Sequence, residues 1–153
     1  MTRCTVLVPV AALLLAAGCR GAPDVGASAQ AGNVSVSRAV AWTMAEIGSA
    51  TVGFELDVAR GADTLVAVSS SAGRAGLHGT KGAGGMHELA SLPLEPGRTM
   101  IDGRSVHVMV EELAADIPVG GTLPLELRFA RAGAVHLDVP VLRFSEALTA
   151  LGR

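Results

Sequence analysis

Cysteine is nearly absent from this 153-residue chain and aromatic residues are almost as scarce, with two Cys, one Trp, three Phe and no Tyr. Cys4 lies in an N-terminal stretch that reads as removed, which leaves Cys19 alone. A single cysteine forms no intramolecular disulfide, and it is a poor basis for a thiolate metal site or a dithiol redox site. Trp42, Phe54, Phe129 and Phe144 are too few to build a stacking platform for bases or sugars. Lysine occurs once, at Lys81, and 12 Lys+Arg are outnumbered by 14 Asp+Glu. The basic excess that neutralises phosphates is missing, so no nucleic-acid partner is expected. Long apolar runs are missing as well. The run Val6–Ala17 stops well short of the ~20 residues that a membrane-spanning helix needs, so nothing in the mature chain is expected to span a bilayer. The motifs of common hydrolases are also lacking: there is no Gly-x-Ser-x-Gly elbow, no His-Glu-x-x-His pair and no phosphate loop. An enzyme is therefore not expected.

What is present begins with an address. Arg3, the apolar run and then Leu15-Ala16-Ala17-Gly18-Cys19 read as a signal peptide over residues 1–18. Its end resembles a bacterial lipobox, which implies that Cys19 is lipidated and becomes the mature N-terminus. The alternative is an ordinary cleaved signal peptide with Cys19 incidental. Residues 19–32 are small, polar and aperiodic, as in a flexible tether. The expected product is exported and lipid-anchored, with its domain outside the cytoplasmic membrane, touching the membrane through the anchor only.

Between residues 33 and 145 short β-type runs alternate with Gly, Pro, Asp and Ser: Asn33–Val40, Thr51–Ala59, Thr64–Ser70, Arg74–His78, Gly85–Ser91, Ser105–Glu111, Thr122–Ala130 and Ala134–Leu142. Such spacing predicts an all-β, antiparallel sandwich. Alternation supports it: Leu123, Leu125, Leu127 and Phe129 share one face, as do Val135, Leu137, Val139 and Val141. Phe54, Phe129 and Trp42 are expected in the core. One or two helical turns are expected over Phe144–Leu151, and residues 146–153 form a C-terminal tail.

The sharpest local pattern is Ser105-Val106-His107-Val108-Met109-Val110-Glu111. If the valines fill the core, His107 and Met109 stand together on the other face, where an imidazole and a thioether can share one ion. Upstream, His78 precedes a Gly-rich turn and Met86 follows it, and a hairpin there is expected to bring the two close across its base. Four soft or borderline ligands, His78, Met86, His107 and Met109, thus gather at one end of a sandwich. His87 is a possible substitute ligand. His136 reads as a surface residue, and Met100 and Met44 read as packing residues near the core and Trp42.

The order His, Met, then His-x-Met, ahead of Thr122–Phe129 and Ala132-Gly133-Ala134-Val135, resembles the periplasmic copper chaperone family often called PCu(A)C. The likeness extends from Ala41-Trp42 through Phe54-Glu55-Leu56 and Asp63-Thr64-Leu65-Val66 to the last strand. It implies a cupredoxin-like, immunoglobulin-like sandwich and a Cu(I) site at His78, Met86, His107 and Met109. Seven residues separate His78 from Met86 and twenty separate Met86 from His107, against the family's usual ten and twenty-one. The likeness also implies delivery of copper towards cytochrome c oxidase assembly, with the oxidase copper subunit or a thioredoxin-like copper chaperone as partner and a monomeric carrier. A soft, neutral set of thioethers and imidazoles suits Cu(I) over divalent ions and gives up its cargo without reprotonating a thiolate. The alternative expectation is a structural or adhesive envelope sandwich whose shortened hairpin has abolished the site.

Overall fold

A computed structural model describes residues 25–81 and 85–153. The expected signal peptide, with Cys4 and Cys19, and residues 82–84 lie outside the described residues. Among the described residues eleven strands fall in chain order: β1 Ala27–Ala31, β2 Val34–Met44, β3 Ser49–Val58, β4 Asp63–Ser69, β5 Arg74–Lys81, β6 Gly85–Leu89, β7 Leu92–Leu94, β8 Gly97–Ile101, β9 Val106–Glu111, β10 Thr122–Phe129 and β11 Gly133–Pro140. A short helix, α1, Phe144–Ala150, closes the chain. The larger sheet runs β1-β2-β3-β9-β5-β6, with β8 also paired to β3; the smaller runs β11-β10-β4-β7. The expected all-β sandwich is the architecture found.

Alternation explains the core. Leu123, Leu125, Leu127 and Phe129 of β10 and Val135, Leu137 and Val139 of β11 are buried against Val52, Phe54, Leu56, Val108 and Val110 of the larger sheet. Phe54 is fully buried, Phe129 nearly so, and Trp42 is 8% exposed. Asp63, at the start of β4, ties the smaller sheet together. Its carboxylate accepts the backbone N–H groups of Thr64 at 2.7 Å, Arg131 at 3.0 Å and Ala132 at 2.9 Å.

Strand β2 changes faces midway. A bulge between Ser37 and Val40, with Arg38 at φ 55°, shifts the register against β3. Val34, Val36, Ala39 and Ala41 therefore belong to the inter-sheet core, whereas Val40 and Trp42 point to the outer face. There they meet Ala147 and Leu151, the two buried residues that α1 and its C-cap present one turn apart. Gly53 makes this docking possible, because a Cβ there would stand 2.6 Å from Leu151 Cδ1 and 3.1 Å from the Ile101 carbonyl oxygen. Phe144 adds an edge-on contact to Trp42, with ring centroids 5.7 Å apart.

Several stretches depart from expectation. Ala27–Ala31, within the expected tether, pairs with β2, and residues 146–151 pack on the sheet through α1. β7 and β8 are further strands where loop was expected, and β2 continues to Met44 past the expected end at Val40. Met100 packs against the outer-face cluster around Trp42, and Met44 lies half-buried at the end of β2.

Candidate metal centre

The helix covers only part of the larger sheet's outer face, and the expected ligands lie on that same face beyond it. In β9, Val108 and Val110 turn to the core, so His107 and Met109 turn outward. β5 pairs with β9 in a register that sets His78 opposite His107 and Gly76 opposite Met109. The two imidazoles stack with centroids 5.7 Å apart and 21° between their planes. On the other side of β9, Thr51 stands opposite Met109, and Trp42 stands opposite Thr51.

Although they belong to an outer face, His107 is only 5% exposed and Met109 8%. Burial lowers the His107 pKa below the usual imidazole value, and a cationic His78 beside it lowers it further. The ring therefore stays neutral, its metal-binding form, to lower pH than a free histidine. Its Nδ1 is buried with no hydrogen-bond partner among the described residues. Leaving a buried polar atom unpaired costs about 1–3 kcal/mol, and an ion is one of the partners that can satisfy it.

β5 and β6 form the expected hairpin, with Met86 beside His78 but not directly opposite it. β6 pairs with β5 so that Glu88 faces His78 and Met86 faces Thr80. Met86 is thus a diagonal neighbour of His78, and it is 58% exposed. The Met109 row crosses β5 at Gly76 and the Met86 row crosses it at Thr80. Four residues of strand, about 13 Å at 3.3 Å per residue, separate these rows. The two thioethers thus flank the imidazole row, each one row away on opposite sides, Met109 buried within the sheet and Met86 exposed on the edge strand. His87 pairs with Gly79 and turns to the opposite face with Leu89, away from the imidazole pair. His136 lies exposed on the smaller sheet, 3.5 Å from Glu126.

Glu88 is a donor that the sequence pattern alone does not single out. Its alternation with Met86 was visible, but only the register shows that the carboxylate, and not the thioether, takes the place across from His78. Among the described residues no three His, Cys, Asp or Glu side chains converge into a ready-made cluster. What the face offers is two imidazoles with a thioether beside them, a borderline-to-soft donor set. Among the described residues no helix is long and apolar enough to cross a membrane.

The LpqE-like family model matches residues 33–141. No curated protein matches the chain. Among solved structures, the copper-bound PCuAC domain from PmoF2 is similar with a TM-score of 0.66 at 20% identity, over 76% of this chain and 97% of that one. The apo PCuAC domain from PmoF1 gives 0.67 at 20% identity, over 76% and 98%. Apo-DR1885 from Deinococcus radiodurans gives 0.50 at 18% identity, over 93% and 97%. The sandwich described above is thus the PCuAC fold.

Proposed function

Because this chain belongs to the LpqE-like family, and because its His107 is buried and unpartnered against His78 beside Met109, we propose that it is an envelope metallochaperone that carries Cu(I). The observation that carries the reading is that stacked, partly dehydrated imidazole pair with a thioether two residues along the strand. A monovalent soft cation is the species such neutral donors favour. Copper is cargo here, so ligands that release it without taking up protons are an advantage. His78, His107 and Met109 hold the ion, and Met86 closes on it from the hairpin edge. The likeness to a copper-bound PCuAC domain supports the same cargo.

The carrier is monomeric and anchored by a lipid on Cys19, in keeping with a family described as lipoprotein, and it delivers copper towards cytochrome c oxidase, to the oxidase copper subunit or a thioredoxin-like chaperone. Growth with a clickable fatty acid should label the protein and leave Cys19→Ala unlabelled; an unlabelled wild type removes the anchor from this reading.

The decisive experiment is an anaerobic Cu(I) titration of the chain from Arg20, which contains every described element, against a chromophoric chelator. One tightly held equivalent is expected, and X-ray absorption should show both sulfur and nitrogen ligands. No Cu(I) binding under reducing conditions would falsify the proposal.

The site carries its own optical reporter. Trp42, the chain's single tryptophan, lies two strands from Met109 in the row Trp42–Thr51–Met109, or about 10 Å at 4.8 Å per strand. Its emission is expected to fall on copper loading and to recover when a chelator removes the metal, following the same one-equivalent curve. An emission indifferent to copper would place the ion elsewhere.

The marginal position of Met86 favours one competing reading, a structural sandwich whose site is lost. Inserting three residues between Lys81 and Gly85 separates the two. A lost site gains Cu(I) binding on insertion, whereas the carrier proposed here binds before it.

A further inference from the structure

The face that holds the imidazole pair also holds a carboxylate. Glu88, His78 and His107 form a single row across β6, β5 and β9, each turned outward. A methyl group placed on Gly76 would lie 3.2 Å from His78 Nε2 and 3.6 Å from Glu88 Oε1. Both side chains therefore lean over the same glycine, and Gly76 is the residue opposite Met109. The missing side chain leaves a bare floor with an imidazole nitrogen and a carboxylate oxygen at its rim. Among the described residues five glutamates are engaged by arginine, Glu55 by Arg38, Glu111 and Glu112 by Arg74, Glu126 by Arg128 and Glu146 by Arg143. Glu88, like Glu46 and Glu95, pairs with no arginine among them and is left open to another partner.

Ligand chemistry sets what this row can take. A carboxylate is a hard donor that suits divalent ions, an imidazole suits ions of either charge, and a thioether suits the monovalent ion. We infer that Glu88 gives the site a second mode, in which Cu(II) is held by Glu88, His78 and His107 while the thioethers serve Cu(I). This rests on the copper reading above and adds the oxidation state it takes up. The three side chains do not converge beforehand. Glu88 is exposed on an edge strand, and it closes by rotating its own side chain without moving the sheet. No electron moves in the proposal: the two modes share the imidazoles and differ in the third donor, so each ion is bound in the state in which it arrives.

Glu88→Gln keeps the size of the side chain and removes its charge. In the chain from Arg20, an aerobic Cu(II) titration against a competing amino-acid chelator, followed by electron paramagnetic resonance, is expected to show one Cu(II) bound through nitrogen and oxygen in wild type. In Glu88→Gln the Cu(II) affinity is expected to fall at least tenfold, with a changed spectrum for any complex that remains, while Cu(I) affinity measured anaerobically stays within threefold. A wild type that takes no Cu(II), a loss under tenfold, an unchanged spectrum, or an equal loss of both ions overturns the inference. Failure of wild type to take Cu(I) bears on the carrier reading alone, because the Cu(II) arm is read separately.

Discussion

His107→Ala is expected to lower Cu(I) affinity at least ~100-fold while leaving the sandwich folded. A hundredfold loss corresponds to about 2.7 kcal/mol, a modest demand for removing one of two nitrogen donors from a site with only one buried thioether. The fold should survive, because the side chain removed belongs to the outer face and not to the core between the sheets. Deleting it creates a void, but it also deletes the unpartnered buried Nδ1, and these two effects on stability oppose each other. Competition with a chromophoric chelator reads the affinity and thermal unfolding without copper reads the fold. Met109→Ala should approach the effect of His107→Ala. Met86→Ala should cost less than tenfold, since that thioether sits 58% exposed on the edge strand. If Met86→Ala proved as damaging as Met109→Ala, the exposed thioether would have to swing in over His78 on loading, matching Met109 from the opposite side of the imidazole row.

The order of these effects depends on register, and register is what the sequence conceals. The faces of β9, β10 and β11 were legible because strict alternation of Val and Leu with polar residues leaves one solution for which side is buried. The outward pairing of His107 with Met109 followed at once. Strand β2 defeated the same logic. Its bulge at Ser37–Val40 moves the inward set from Val34 and Val36 to Ala39 and Ala41, so the pattern seems to end where the strand in fact continues. Ala27–Ala31 alternates alanine with Ser28 and Gln30, but an apolar face made of alanine alone is a weak signal, and its strand character comes from pairing with β2. β7 and β8 are short, and they form because β4 and β3 offer them edges to pair with. In the hairpin, alternation alone puts Met86 and Glu88 on one face, the face that His78 shares. Which of them meets His78 depends on how many residues the turn consumes, and the seven-residue separation gives that place to Glu88.

Asp63→Ala is expected to destabilise the fold by about 3–5 kcal/mol, because it removes a buried charged acceptor from three backbone N–H groups. The side chain is 4% exposed, and three backbone N–H groups, from Thr64, Arg131 and Ala132, converge on its carboxylate. Hydrogen bonds to a charged group contribute about 1.5–3 kcal/mol each, and donors left unpaired cost most where water cannot reach them. The two donors at 131 and 132 lie in the turn between β10 and β11, so the carboxylate fixes that turn against β4. Burial by itself raises the Asp63 pKa, but the three amide donors and the Arg131 guanidinium together outweigh it, and the carboxyl is held below its ordinary 3.8. A lowered folded-state value means that the ionised group stabilises the fold fully above the unfolded value near 3.8. This contribution is lost as pH falls through the lower folded value. Asp63→Asn retains one acceptor oxygen and turns an amide donor towards another donor, so it should be destabilised at neutral pH by less than the alanine variant. Denaturant titrations of wild type and Asp63→Asn from pH 7 downward should show a constant gap to about pH 4 that narrows in stronger acid, where wild type loses its charge and the variant has none to lose. A gap that stayed constant through the acid range would mean that the turn is held by the shape of the side chain and not by its ionised carboxylate.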